Sequence, residues 1–179
     1  HGRRRRFRPR RLMPVEDQKI NSNKYQIIPR VLVFATRGGK LLLIKGASNK
    51  RLWPDLYNGI GGHIEPGEHV LQAARREFFE ETGLPLENPH LCAVVTIDTQ
   101  QAAGIGMFVF RGQAGEGQPR SSVEGTLEWV DAAKTQDLAL VEDLPVLIPK
   151  VMAWAPGDPI FFGQYTYTQE NALEMTFST

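Results

Sequence analysis

One cysteine, Cys92, is present in 179 residues. That excludes an intramolecular disulfide and any metal site built on several thiolates. Set in an apolar run, Cys92 reads as a small buried side chain, and a reducing compartment suits it. Long hydrophobic runs are also missing. Residues 31–35 and 41–44 are the longest kind present, far short of a bilayer-spanning segment, so no transmembrane helix is expected. The first twelve residues lack the apolar stretch of a secretory signal, and the expected location is the cytoplasm. They also lack any acid while holding seven arginines. The formal net charge of +1 therefore hides a division: the other 14 Lys and Arg face all 20 Asp and Glu, leaving a body near −6. A basic arm suits nucleic acid or a membrane surface, but an acidic body does not suit a phosphate backbone. Residues 1–24 are read as a basic tail, disordered or non-native, and nucleic-acid binding is expected only through it. Residues 25–179 are read as one domain, since 41% hydrophobic and 23% charged residues make an ordinary globular composition.

Residues 27–36 and 40–45 read as a strand hairpin turning at Arg37-Gly38-Gly39. An irregular loop follows, then a run with three glycines in four residues and a Pro-Gly pair, which no regular helix accommodates. Spacing turns helical over 69–82, with Leu71, Ala74 and Phe78 on one stripe, and Gly83 stands where a helix ends. Strands are expected at 91–99, 105–111 and 126–130, with 112–122 a mobile surface loop. Residues 142–154 have helical character, Pro145 suiting a first turn and Pro149 predicting a kink or an early end. A last hairpin spans 160–168 and 172–178. The alternation predicts an α/β (α+β) fold with a mixed sheet and helices packed against it.

The chemistry-bearing cluster lies on the first helix. Glu77, Glu80 and Glu81, at i, i+3 and i+4, share one face. Two carboxylates about 4 Å apart repel by on the order of a few kcal/mol at an effective dielectric near 20. Either solvent or a divalent cation must relieve that face, and hard ions such as Mg²⁺ or Mn²⁺ take such oxygens. A glycine run leading into the helix favours the cation, because glycine lets backbone approach a metal or phosphate. Glu68, eight positions before Arg76, is spaced for an ion pair between loop and helix.

Residues 62–84, G-H-I-E-P-G-E-H-V-L-Q-A-A-R-R-E-F-F-E-E-T-G-L, match the pattern G-x5-E-x7-R-E-U-x-E-E-x-G-U at every fixed position. On this run the chain resembles the Nudix hydrolases. The resemblance implies a mixed β-sheet sandwiched between helices and a Mg²⁺-dependent pyrophosphohydrolase. It further implies that Glu77, Glu80 and Glu81 bind metal, that Arg76 orients a glutamate, and that Gly62 offers its carbonyl. One of Glu77, Glu80 or Glu124 would take the proton of the attacking water.

Flanking residues resemble those of the MutT-type branch acting on oxidised purine nucleoside triphosphates. Asn58, in Leu56-Tyr57-Asn58-Gly59-Ile60-Gly61-Gly62, is placed to hydrogen-bond a purine, and a turn role before Gly59 remains open. Glu142 and Asp143 match an acidic pair that reads the base, Glu124 matches a further active-site glutamate, and 161–167 matches a final hairpin. Lys45 is a candidate phosphate ligand or a solvated strand end. His63, Tyr57 and Glu142 depart from the branch's pattern. The expected ligand is a small nucleotide. Two alternatives stay open: a Nudix enzyme for ADP-sugars or other nucleoside diphosphate derivatives, and a non-catalytic Nudix-fold regulator or RNA-binding module.

Overall fold

Strand β1 (Gln26–Arg37) organises the sheet, because residues 31–35 are apolar in succession and buried on both sides. A strand covered on both faces needs this composition. In the computed structural model, which describes residues 23–49, 52–121 and 125–179, β1 is followed by β2 (Lys40–Gly46), β3 (Tyr57–Asn58), β4 (Ile60–His63) and helix α1 (Val70–Thr82). Next come β5 (Leu86–Ile97), β6 (Ala103–Ala114), β7 (Gly125–Asp131), a 3₁₀ turn (Ala132–Asp137), helix α2 (Leu144–Ala153), β8 (Phe161–Tyr167) and β9 (Leu173–Ser178). The Arg-rich segment and Glu124 lie outside the described residues.

The strands run β3-β2-β1-β6-β5-β8-β9, with β4 on β1 and β7 on β2. The β1/β6 and β5/β8 pairs are parallel and the others antiparallel, so the sheet is mixed, as expected. One edge of β1 serves two partners. Residues 30–33 pair with β4 and residues 35–37 with β2. The hairpin was legible in the sequence, while the pairing of the glycine run as β3 and β4 was not.

Alternation divides the core. Val31, Val33 and Ala35 face α1 through Ala73, Ala74 and Phe78. Leu32 and Phe34 face α2 through Leu144, Leu147, Ile148 and Val151. Cys92 is fully buried on the α2 face, where burial pushes its thiol up to about 12, so it behaves as packing.

Two sequence expectations need correction. Strand β6 continues to Ala114 and β5 starts at Leu86, because these buried residues pair with each other where a loop was expected. Gly112 permits this approach, since a Cβ there would stand 2.9 Å from Leu86 Cδ1 and 3.0 Å from Glu87 O. The following turn is pinned by Arg37, which donates to the carbonyls of Ala114 (3.2 Å), Gly115 and Gly117 (2.8 Å) and lies over the Trp129 ring.

The second correction concerns α2, which does not end at Pro149 but runs on to Ala153. Proline removes the N–H that would bond the carbonyl of Pro145. Gln136 replaces it, with Nε2 donating to Pro145 O at 3.0 Å. Arg111 Nη1 holds the far end through the carbonyls of Met152 and Trp154. Gln136→Ala should therefore lower stability by about 1 kcal/mol, seen in thermal melts as a midpoint roughly 2–4 °C lower. An unshifted midpoint would remove this account of how the helix tolerates Pro149.

Candidate active site

Helix α1 starts at His69, whose Nδ1 accepts from Gln72 N at 3.2 Å while Gln72 Oε1 accepts from His69 N at 3.1 Å. This reciprocal cap satisfies two of the unpaired N–H groups at the first turn. Gly83, left-handed at φ 72°, closes the other end and donates to Phe79 O at 2.7 Å. With its apolar face fixed against the sheet, α1 projects Arg76, Glu77, Glu80 and Glu81 from the remaining surface.

Arg76 joins three elements. Its Nη2 donates to His63 O on β4 at 2.9 Å and to Glu68 Oε1 at 2.6 Å, and its Nε reaches Glu68 Oε2 at 3.2 Å. Its Nη1 donates to Glu77 Oε1 at 2.8 Å and Glu80 Oε2 at 3.0 Å. The expected loop–helix ion pair is present and is two-pronged. Arg76 holds the Glu68 carboxyl below the usual carboxylate range, helped by the N–H of Glu65, and the three glutamates push the Arg76 guanidinium upward. The repulsion among carboxylates is thus partly relieved by an arginine of the same helix.

Gly62 backs this cluster. A Cβ there would fall 2.5 Å from the carboxylate atoms of Glu77, so only glycine admits that side chain against β4. The oxygen-only chemistry of the Gly62 carbonyl and the carboxylates of Glu77, Glu80 and Glu81 is of the kind that suits a hard divalent ion. Among the described residues, no three His, Cys, Asp or Glu side chains converge closely enough to enclose an ion.

A cavity of about 370 Å³ opens beside Gly62 on the α2 face. Its floor is apolar, with Leu32, Ile97, Ile105 and Met107, and its polar rim includes Asn58, Glu142 and Asp143. The structure therefore brings together Gly62 and the three side chains expected to read a base. A smaller cavity of about 150 Å³ adjoins it, sharing Trp53, Asn58, Gly59 and Gly61, and includes Glu81 in its wall. Backbone hydrogen bonds make this convergence. Tyr57 N donates to Ala139 O at 2.8 Å and Val141 N donates to Tyr57 O at 3.0 Å. The segment leading into α2 is thereby tied alongside β3, and Asp143 is delivered near Asn58.

Asn58 ends strand β3, where the sequence allowed a turn role, and its Oδ1 accepts from Gly59 N at 2.8 Å. Its amide N–H groups remain for a ligand. Asp143 begins α2 but its side chain makes no capping bond. Burial, with a smaller contribution from the Glu142 charge, pushes its carboxyl up to about 6. Tyr167, nearby on β8, is raised by burial and then by the charges of Glu142 and Asp143.

Lys45 lines neither cavity. Its Nζ lies over the Tyr57 ring, 5.6 Å from the centroid, and Tyr57 Oη donates to Glu128 Oε2 at 2.7 Å. Glu124 is outside the described residues. The sequence reading missed Trp53, which lines both cavities from a left-handed backbone (φ 53°), and Arg30 and Tyr165 in the larger one. Alternation along 161–167 was the available signal for Tyr165, which shares a strand face with Phe161 and Gly163.

The NUDIX domain model matches residues 25–153. An oxidized purine nucleoside triphosphate hydrolase of Danio rerio is 32% identical over 104 residues, covering 58% of this chain and 65% of that protein. The chain thus spans just under two thirds of that relative's length. An uncharacterized Nudix hydrolase of Bacillus subtilis, YvcI, is 34% identical over 118 residues, covering 63% and 73%. The mutator MutT protein of Bacillus halodurans superposes with a TM-score of 0.71 at 22% identity, over 84% of this chain and 97% of that one, a likeness of fold. A family match across most of the chain, the glutamate helix held by Arg76 and the sheet between two helices agree, and the chain belongs to the NUDIX domain family.

Proposed function

We propose that the protein is a divalent-metal-dependent pyrophosphohydrolase that converts a purine nucleoside triphosphate, oxidised purines included, to the monophosphate and pyrophosphate. The observation carrying this reading is the apolar cavity rimmed by Asn58, Glu142 and Asp143, opening beside Gly62 and adjoining the cavity walled by Glu81. Apolar walls with a few convergent polar groups suit a purine, and the adjoining carboxylates suit its phosphate chain.

Gly62, Glu77, Glu80 and Glu81 would hold Mg²⁺ or Mn²⁺, which when bound neutralises phosphate charge and acidifies an attacking water. The chain's own residues do the rest. Arg76 fixes the carboxylates of Glu77 and Glu80 in place, so that one of them can accept the water's proton. Asn58 and Asp143 orient the base, and the apolar floor excludes water from it. Resemblance to the oxidised-purine branch at Asn58 and at the acidic pair supports the substrate class.

Three measurements test this. Glu80→Gln or Glu81→Gln should lower turnover at least about a hundredfold with Mg²⁺ while the melting curve is retained, because a neutral amide is a poor ligand for a hard cation. Undiminished turnover in both variants would remove the metal site. Asn58→Ala and Asp143→Ala should weaken purine triphosphate use through KM or kcat/KM while leaving the thermal stabilisation by Mg²⁺ in place. Unchanged kinetics on every purine triphosphate would leave a Nudix hydrolase of another substrate.

The third measurement uses the Asp143 carboxyl, raised from 3.8 to about 6. The folded state binds this proton more tightly than the unfolded state, so the contribution is full at low pH and is lost as pH rises from about 4 through 6. Asp143→Asn cannot titrate. Its denaturation midpoint, relative to wild type, should move in the variant's favour across that window, and a constant difference from pH 4 to 7 would place Asp143 in water.

A further inference from the structure

The cavity of about 370 Å³ carries one positive charge without a partner. Arg30 is the one lysine or arginine among its described lining residues, and neither Glu142 nor Asp143 forms an ion pair with it. Its side chain makes no hydrogen bond or ion pair among the described residues. Nε is closed off by packing, while the terminal Nη groups, equally unpartnered, keep access to solvent. A half-buried guanidinium has given up part of its hydration and ordinarily recovers it through an acceptor. Arg30 is thus fit for an acceptor that arrives with a ligand.

Strand alternation fixes where that acceptor would lie. Leu32, two residues on from Arg30, packs toward α2 and lines the cavity, so Arg30 points to the same side. The register sets His63 of β4 directly opposite Arg30, and Gly61 opposite Leu32. Opposed residues of an antiparallel pair present their side chains on one face. Arg30 and His63 therefore stand side by side at the cavity, and both line it. Ile60 and Gly62 take the other face of β4, toward α1, where Gly62 backs Glu77. The backbone of β4 alone separates the cavity from Glu77, bare of side chain at Gly61 and flanked by the pair at 30 and 63. Both members of that pair can donate N–H to an anion, and a guanidinium meets a phosphate with two parallel N–H groups.

We propose that Arg30, with His63 beside it, holds the phosphate attached to the nucleoside, the α-phosphate, where the nucleotide leaves the base cavity for the glutamate helix. This rests on the purine nucleotide reading of the cavity and deepens it. Glu142 and Asp143 repel a phosphate while Arg30 attracts it, so the charges of the cavity set which way round the nucleotide lies. Arg30 acts here as a binding residue, and bond cleavage is left to the helix.

The test is Arg30→Gln in the full chain, which removes the charge and keeps a polar side chain on the cavity face. Equilibrium binding is measured without metal at pH 8, where a phosphate monoester is a dianion. The ligands are dGMP and deoxyguanosine, which share base and sugar and differ by the phosphate. Wild type should bind dGMP more tightly. The variant should lose at least about tenfold on dGMP, the size expected for hydrogen bonds to a charged group, and less than about twofold on deoxyguanosine. Arg30→Lys should keep part of the affinity, and with Mg²⁺ the loss of kcat/KM on dGTP should come through KM. His63→Ala alters an exposed side chain. It should weaken dGMP and spare deoxyguanosine, and it carries the test if Arg30→Gln does not fold. Equal losses on both ligands, or undiminished dGMP affinity in the folded variant, would overturn the inference. If wild type binds neither ligand and hydrolyses no purine triphosphate, the purine reading itself falls and takes this inference with it. Wild-type binding of dGMP and deoxyguanosine with equal affinity overturns this inference alone.

Discussion

The structure around the site depends on one guanidinium. Arg76 reaches a backbone carbonyl on β4, a carboxylate in the turn before α1 and two carboxylates on α1 itself. A planar fork with five N–H donors can meet such a set, whereas an ammonium cannot meet it in one geometry. Each partner is partly exposed, with Glu68 and Glu77 side chains at 14% and 15% and Glu80 at 58%. The contribution is therefore geometric more than energetic, since surface ion pairs add little stability singly. Arg76 locates α1 relative to β4 and so locates Glu77 against Gly62.

A second constraint is carried by the backbone alone. Two hydrogen bonds between Tyr57 and residues 139 and 141 fasten the approach to α2 beside β3. They bring Asp143 and Asn58, 85 positions apart in sequence, to one cavity. The glutamate helix lies on one face of the sheet and this cavity on the other, and the short glycine-bearing strand β4 runs between them. Gly61 and Gly62 border the larger cavity without side chains to obstruct it, and Gly61 borders the smaller one too.

Much of this was legible in the sequence because it is local. The helix, its terminal glycine, the shared face of the glutamates and the Glu68–Arg76 pair are all matters of spacing within about twenty residues. Asn58 could be singled out by its neighbours, and the structure adds that it is a strand residue of β3 and a cavity residue together. The rest was hidden because it is topological. Arg30 and Tyr165 meet the same cavity from strands separated by β6 and β5, an order no periodicity reveals. The continuation of α2 past Pro149 depends on an amide from the preceding 3₁₀ turn. Lys45 alternates to the Tyr57 side of its strand, and only the observed register shows what it meets there.

The backbone tie between β3 and the start of α2 has a consequence for how a substrate is measured. Both ends of the proposed nucleotide site are referenced to neighbouring strands, the base readers by backbone hydrogen bonds to β3 and the glutamate helix by the Arg76 side chain to β4. On that reading the distance from base to glutamates is a fixed gauge, and the ligand must span it. A nucleotide seated by its base presents one particular phosphoanhydride at the end of the gauge, so the choice of which bond breaks becomes a matter of length. Regioselectivity would then reside in the spacing of two strands, with Arg76 holding one end of the gauge to its strand.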